Sequence, residues 1–277
     1  MYMTNESLLL LRRHLETLLE RHLPESGWNW LRGNRPVLTA FVAAPRFTGK
    51  TVPPADDPLF ADIEALRPGF TIKSWPADRL ARLWLLLGLP LDDREAFLRS
   101  IETLFDTAEM NELVTLYASL PVLPFPDAWI FRATEAVRSN MGVVFDALAL
   151  DNPYPSEQFS EPAWNQLVMK TIFNDKPLGR IIGLAERSNA ALCRILVDFA
   201  HERWAAGRHV PPRAWEVVGP FIGENFLPDL ERLFRSGRPE DRRAAALICR
   251  DTPFDPARVL GSTYATADGL DWSSVDE

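Results

Sequence analysis

The chain has 277 residues, of which 47% are apolar and 25% are charged, so it is long and apolar enough to bury a substantial core. Its formal charge of −8 argues against a protein that coats nucleic acid with excess basic side chains. The two cysteines, Cys193 and Cys249, exclude a disulfide scaffold, and the four histidines leave few ligands for a zinc site. We therefore expect no metal, no cofactor and no nucleic-acid partner.

No segment has the pattern of a targeting or membrane-spanning element. The apolar run near the start ends at Arg12 and has no basic residues before it, unlike a secretory signal. The strongest internal run, at 80–91, contains Arg82 and Pro90 and is shorter than the roughly 18 residues that cross a bilayer. These patterns predict a soluble cytoplasmic protein that does not insert directly into a membrane.

Hydrophobic periodicity is helical along almost the whole chain. In residues 6–23, Leu8, Leu11, Leu15, Leu18 and Leu19 follow the spacing of one helix face. Hairpin signals between alternating strand patterns are missing. The sequence predicts an all-α fold with helices at 6–23, 36–44, 58–66, 77–88, 93–105, 108–120, 127–138, 141–150, 161–173, 178–207, 213–218, 225–236 and 239–249.

Helical blocks of this length with short proline-containing links are typical of stacked helical hairpins. They favour a HEAT-like α-α superhelix, with a compact helical bundle as the alternative, since no repeat of fixed period is present. We expect one helical domain over 1–267, interrupted by an irregular Pro/Gly-rich loop at 45–58. Residues 268–277 are predicted to be a flexible acidic tail in which Trp272 has the potential to dock.

Three short motifs resemble known sites but lack a required part. Gly49-Lys50-Thr51 has alanine at position 44, where a phosphate-binding loop needs glycine, and it follows no predicted strand. His201-Glu202 lacks the second histidine of a zinc-protease helix. The acids at 92–93 suit a helix N-terminus better than a metal-diphosphate site, and both cysteines suit packing better than nucleophilic catalysis.

The segment from Asp151 to Phe173 departs from a generic helical pattern. On a helical wheel, an apolar face at 161–173 includes Trp164 and Leu167, and Asn165 falls among these buried positions, while Lys170 lies on the polar strip. A buried amide without partners costs about 1–3 kcal/mol. Asn165 is therefore either a structural residue that holds the turn around Asn152 or a polar group that lines a pocket.

The predicted helix at 178–207 has the same peculiarity. Leu192, Ile195, Leu196 and Phe199 form its apolar face, yet Asn189 and Arg203 project onto that face and Glu202 onto its edge. Arg203 must pair with a carboxylate or carbonyls, or extend past the helix end. If both helices border one concave surface, Asn165, Lys170, Asn189 and Arg203 form a polar group inside an aromatic wall.

These segments resemble the EboA family. The resemblance rests on Arg138-Ser-Asn140, Leu150–Pro155, Phe159-Ser-Glu161, Ala163-Trp-Asn-Gln166 with Lys170 and Phe173, Asn189, and Ala200–Arg208. It is strongest over residues 138–208. The resemblance assigns no catalytic residues, and the candidate binding residues that it and the helical patterns supply are Arg138, Asn140, Asn152, Tyr154, Glu161, Trp164, Asn165, Lys170, Asn189, Glu202, Arg203 and Trp204.

The resemblance implies a cytoplasmic helical protein from a multi-gene locus for trafficking or export of a bacterial secondary metabolite. Other proteins of the locus, including one that resembles a membrane prenyltransferase, are the expected partners, and a small-molecule metabolite is a further one. The leading interpretation is a non-catalytic adapter or binding protein. The alternatives are a small-molecule carrier or an all-α enzyme that uses Glu161, Glu202 or Lys170 as acid or base and orients substrate with Asn165 or Arg203.

Overall fold

The computed structural model describes residues 3–264 and 269–275, and within them the chain forms helices, turns and loops without a strand. The all-α prediction is confirmed. Backbone contacts divide the chain into a first unit, Met1–Gln158, and a second unit, Phe159–Glu277. The expectations of one domain over 1–267 and of a HEAT-like superhelix stay predictions.

The first unit contains ten α-helices within its described residues. Its two short 3₁₀ turns, Leu120–Val122 and Pro126–Trp129, lead from the seventh helix to the eighth. The helices are α1 Asn5–His22, α2 Glu25–Leu31, α3 Val37–Thr48, α4 Leu59–Leu66, α5 Ala77–Leu86, α6 Arg94–Thr107, α7 Met110–Ser119, α8 Ile130–Arg138, α9 Gly142–Ala149 and α10 Tyr154–Gln158.

Helix α1 forms as its leucine pattern predicts. Thr4 caps its N-terminus by accepting a hydrogen bond from the backbone N–H of Ser7. Arg21 and His22 lie in its last turn, where positive charge interacts favourably with the helix dipole. All five leucines of the predicted stripe are buried. They join one apolar core with residues of α4 and α5.

Helix α3 continues through Pro45, so the irregular segment predicted at 45–58 begins at Gly49 instead. Proline has no N–H to donate to the carbonyl four residues earlier, which belongs to Phe41. The buried Arg82 compensates, because its Nε donates to the Phe41 carbonyl oxygen at 2.9 Å. The helix then ends at Gly49, whose φ of 68° is a left-handed conformation that glycine adopts at little cost.

The second unit has fewer long helices and more 3₁₀ turns in its described residues. Its α-helices are α11 Glu161–Phe173, α12 Ala190–Ala205, α13 Leu227–Phe234, α14 Pro239–Asp251 and α15 Asp255–Tyr264. Short 3₁₀ helices occupy Leu178–Arg180, Pro212–Val217, Gly219–Phe221, Glu224–Phe226 and Trp272–Val275.

The prediction of one helix over 178–207 is wrong for the first half of that range. Gly183 has a φ of 83°, and residues between it and Ser188 form turns. Helix α12 begins only at Ala190, because the side chain of Asn189 accepts a hydrogen bond from the backbone N–H of Leu192 and caps the helix. Asn189 is therefore an N-cap residue and not a member of a helix face.

The buried face of α12 is also rotated from the predicted one. Leu192, Cys193, Leu196 and Ala200 are buried, whereas Ile195 is 44% exposed. The small side chains of Cys193 and Ala200 let this face pack closely. A pattern based on large apolar residues alone does not identify it as the buried face. Phe199 instead meets Phe173 edge to face, with ring centroids 4.7 Å apart.

The described part of the acidic C-terminal segment contacts other residues of the second unit. Trp272 Nε1 donates to Asp251 Oδ2 at 2.9 Å, and Val275 is buried. Arg213 and Arg243 donate to the carbonyl oxygens of Trp272 and Ser274. Residues 268 and 276–277 of the predicted tail lie outside the described residues, and its flexibility stays a prediction.

Among the described residues, none of the helices combines the length and apolar character needed to cross a bilayer.

Candidate functional site

The turn around Asn152 is held by its own side chain. Its Nδ2 donates to the carbonyl oxygens of Tyr117 and Ala147 at 3.1 and 3.0 Å, and its Oδ1 accepts from the backbone N–H of Tyr154. Asp151, at φ 52°, makes the reversal that this geometry needs. Tyr154 is fully buried, and its hydroxyl donates to the Pro126 carbonyl oxygen at 2.6 Å. In this structure, both predicted site residues therefore stabilise the first unit.

Asn165 and Asn189 bind each other through both amide groups. Asn165 Nδ2 donates to Asn189 Oδ1 at 3.2 Å, and Asn189 Nδ2 donates to Asn165 Oδ1 at 2.8 Å. Asn165 is 6% exposed, as its helical position predicts. Because Asn189 also caps α12, this pair ties α11 to the start of α12. Asn165 therefore has a structural partner, but that partner is Asn189 and not the turn around Asn152 that the structural alternative named.

The other candidates on α11 have different environments. Trp164 is fully buried, with the guanidinium carbon of Arg187 lying 5.3 Å from its ring centroid. Glu161 is exposed in the first turn of the helix, where a negative charge is favourable. Lys170 is partly exposed, and its burial lowers the pKa of its amine.

Arg203 pairs with a carbonyl group, one of the outcomes that its position on the apolar face predicts. Its Nε donates to the His209 carbonyl oxygen at 2.9 Å, and its guanidinium carbon lies 5.7 Å from the Phe199 ring centroid. Gly207, at φ 67°, turns the chain back so that this bond forms. Glu202 is exposed on the same helix.

The predicted residues divide between the two units. Arg138 and Asn140 are exposed at the end of α8, where Arg138 lies 3.7 Å from Glu135. They belong to the first unit together with Asn152 and Tyr154, and the rest belong to the second. Within the second unit the structure joins Asn165 to Asn189, while Arg203 has different partners.

An open cavity of about 650 Å³ lies beside Trp204 in the second unit, and we call it the Trp204 cleft. One wall comes from the end of α12 and the reversal after it, and the opposite wall comes from α13 and the start of α14. Such a volume lies within the usual range for small-molecule sites. The lining residues are Trp204, Gly207, Arg208, His209, Pro228, Asp229, Arg232, Leu233, Arg235, Ser236 and Asp241.

Trp204 positions an arginine at this cleft. The guanidinium carbon of Arg232 lies 4.5 Å from the Trp204 ring centroid, while Trp215 stacks against Trp204 at 5.6 Å. Stacking on an indole orients a guanidinium without using its N–H donors. Arg208 and Arg232 make no ion pair with any residue in 3–264 or 269–275.

A second open cavity of about 560 Å³ lies on another side of α12, and we call it the His201 cleft. His201 Nε2 lies 2.9 Å from both carboxylate oxygens of the buried Asp229. Cys193 also lines this cleft, but burial raises the pKa of its thiol to about 11, so the reactive thiolate is scarce at neutral pH. Across the parts of the chain that the structure describes, no three acidic, histidine or cysteine side chains are arranged to hold a metal ion.

Sequence reasoning identified one wall of the Trp204 cleft and missed the other. The sequence patterns place Trp204 among the candidates and Arg208 at the end of the resembling segment, whereas they place Asp229 and Arg232 only within a predicted helix. Their spacing is a signal, because Asp229 and Arg232 lie three residues apart and therefore toward one side of α13. Arg235 follows three residues later, just past the end of the helix. Only the fold shows that this side faces the end of α12.

A match to a known family model spans both units. A family model described as metabolite traffic protein EboA matches residues 12–219, about three quarters of the chain. The match includes Trp204 and Arg208 but ends before Asp229 and Arg232. No curated protein and no solved structure matches the chain significantly. On the extent of the family match, the chain belongs to the EboA family of metabolite traffic proteins.

Proposed function

We propose that this protein is a non-catalytic binding protein that holds a small molecule during the processing and export of a bacterial secondary metabolite. The observation that carries the proposal is the position of the Trp204 cleft. This cavity of about 650 Å³ is bordered by Ala200–Arg208, one of the segments that carry the EboA resemblance. The lining combines the indole ring of Trp204 with several charged and polar side chains, which suits a ligand that carries polar groups.

The arrangement of the candidate residues supports binding over catalysis. Asn165 and Asn189 are bound to each other, and Arg203 donates to a carbonyl oxygen, so these groups hold the second unit together. The enzyme alternative needs the same side chains to orient a substrate. Partners from the same locus, including the prenyltransferase-like membrane protein, and a cytoplasmic location complete the proposal.

Native mass spectrometry tests this function on protein purified gently from a host that carries the whole locus. We expect a stoichiometric small-molecule adduct that is lost on denaturation and keeps its mass during incubation. A protein that carries no adduct and co-purifies only with other proteins would contradict ligand binding and support an adapter. An adduct that changes mass on the protein would contradict the non-catalytic proposal.

One observation favours a catalytic alternative in the His201 cleft. Asp229 accepts from His201 Nε2, which leaves the other ring nitrogen of the half-exposed His201 as a general base when the ring is neutral. In that case His201→Gln abolishes the time-dependent change in adduct mass. Glu186→Gln, at an exposed residue of the same unit that lines neither cleft, does not. A mass change that survives His201→Gln would eliminate this base.

A further inference from the structure

The Trp204 cleft combines oriented positive charge with apolar surface. Arg232 stacks on Trp204, and Arg208 follows the left-handed Gly207 at the opposite wall. Neither arginine is neutralised by a carboxylate among the described residues. This differs from Arg235, Arg238 and Arg250, whose guanidinium groups lie within 2.8 Å of Glu231, Glu240 and Asp251.

The two buried acids of the cleft have other hydrogen-bond partners. Both oxygens of Asp229 lie 2.9 Å from His201 Nε2, and Asp241 Oδ2 accepts from the Ser236 hydroxyl at 2.7 Å. These bonds stabilise the carboxylates within the protein wall. Among the described residues, the guanidinium groups of Arg208 and Arg232 have no carboxylate partner, so their N–H groups remain as donors at the cleft.

The backbone at the rim fixes the position of Arg208. Its N–H donates to the Arg203 carbonyl oxygen at 2.8 Å, and Gly207 N–H donates to the Trp204 carbonyl oxygen at 3.0 Å, which closes the end of α12. Arg208 therefore starts from a defined backbone position, and only its side chain must be ordered on binding. That lowers the entropy lost when an anion is held.

The apolar part of the cleft comes from Trp204, Pro228 and Leu233. Leu233 is buried and closes this side of α13. A ligand that carried charge alone would leave this surface in contact with water, while a purely apolar ligand would leave two guanidinium groups without an anion. The surface therefore suits a molecule with both parts.

We propose that the Trp204 cleft binds a small molecule that joins an anionic group, carboxylate or phosphate, to an apolar body, with Arg208 and Arg232 holding the anion. This inference rests on the proposed binding function and names the ligand class for it. Trp204 and Pro228 provide the accessible apolar surface for this body, because Leu233 is buried. A charge-assisted hydrogen bond is worth more than a neutral one, so each arginine contributes at least about tenfold in affinity.

The test uses a pair of fluorescent probes that differ in charge. The anionic probe 8-anilino-1-naphthalenesulfonate and the neutral N-phenyl-1-naphthylamine share the same aromatic skeleton. We expect the full chain to bind the anionic probe at least about tenfold more tightly. Arg208→Gln and Arg232→Gln should each weaken anionic-probe binding about tenfold and leave the neutral probe unaffected.

Arg258→Gln is the matched control, because Arg258 is exposed on α15 of the same unit and does not line the cleft. Thermal unfolding of every variant checks that the fold is intact. Unchanged anionic-probe affinity in the folded Arg208→Gln/Arg232→Gln double variant would overturn the site, as would equal affinity for the two probes.

The double variant also separates this inference from the proposed function. Purified from the locus-bearing host, it should lose the adduct that the wild-type protein carries. If the double variant retains that adduct, ligand binding stands but its location is elsewhere. If the wild-type protein carries no adduct although both arginines govern probe binding, the anion site stands and the proposed traffic function fails.

Discussion

Two arginines of the first unit and two of the second have different surroundings, although arginine is the main basic residue of both units. Arg67 and Arg82 of the first unit are buried, and each donates through Nε to a backbone carbonyl oxygen. Their terminal nitrogens face carboxylates: Glu157 for the first, Asp78 and Glu112 for the second. Arg208 and Arg232 of the second unit are exposed at a cavity.

The difference shows how the same side chain serves folding in one place and recognition in another. A buried guanidinium is tolerated only when its donors are satisfied, so Arg67 and Arg82 are committed to their partners. An exposed guanidinium stacked on tryptophan keeps its donors for a ligand. The bias of 26 arginines over four lysines does not by itself distinguish these roles.

Replacing Arg82 provides the largest expected effect on stability. Arg82→Met should lower the free energy of unfolding by about 3–5 kcal/mol, because Asp78 and Glu112 stay buried without their cation. The Phe41 carbonyl also loses its donor, which Pro45 cannot replace. Urea denaturation measures the change. The counterpart Arg232→Met should cost less than about 1 kcal/mol, and equal losses would contradict the contrast between the units.

The asparagine pair tests whether the second unit also uses polar groups for folding. Asn165→Ala should destabilise by about 1–3 kcal/mol, because the Asn189 side chain loses two hydrogen bonds. A double-mutant cycle with Asn189→Ala should show coupling of about 1 kcal/mol in denaturant titrations. Gln166→Ala, on the exposed side of α11, is the control. Unchanged stability with lost ligand binding would instead support a ligand role for Asn165.

The buried tyrosine of the first unit gives a smaller expected effect. Tyr154→Phe removes the hydroxyl that donates to the Pro126 carbonyl oxygen and should cost about 1 kcal/mol. Thermal unfolding followed by circular dichroism detects this loss as a lower Tm. Tyr264→Phe, at an exposed tyrosine in the second unit, should leave Tm almost unchanged. A similar decrease in Tm in both variants would show that the buried Tyr154 hydrogen bond stabilises the fold no more than an exposed tyrosine hydroxyl does.

The smallest expected effect is a pH dependence at Asp57 in the first unit. Burial acts to raise its pKa, but hydrogen bonds from His22, Leu59 N–H and Arg21 outweigh burial and hold the pKa below the ordinary 3.8. Because the folded pKa is depressed, the stabilisation is present above pH 3.8 and is lost as pH falls through the folded pKa.

Asp57→Asn removes this contribution. The stability difference between wild type and Asp57→Asn in urea titrations should therefore be largest near neutral pH and shrink below about pH 4. Asp56→Asn, at the exposed neighbouring residue, serves as the control. A difference that stays constant from pH 7 to pH 3 would show that the ionised Asp57 carboxylate does not stabilise the fold.

Much of the helical structure was predictable because it depends on local periodicity. The leucine stripe of α1 and the buried position of Asn165 follow from spacing at 3.6 residues per turn, and both are confirmed. The failure at 178–189 arose because the apolar content there resembles a helix. The left-handed backbone of Gly183 interrupts a helix there, and the N-cap at Asn189 makes α12 begin at Ala190.

The candidate site was predictable only in part, for a different reason. The sequence identified Trp204 and predicted that Arg203 pairs with a carboxylate or with carbonyls, or extends past the helix end, because a helical wheel places side chains relative to one helix. It gave no way to place Arg208 and Arg232, which are separated by 24 positions, at the same cleft. Their shared position there depends on how α12 and α13 pack.

The sequence by itself determined the all-helical class and the EboA membership, because periodicity and ordered motifs are properties of the linear chain. Only the tertiary structure decided which polar groups have hydrogen-bond partners within the protein and which remain available to a ligand. Asn165 finds its partner 24 residues away, and the Phe41 carbonyl finds a donor 41 residues away. Hydrogen-bond partners at such separations are set by packing between helices, on which local sequence patterns carry no information.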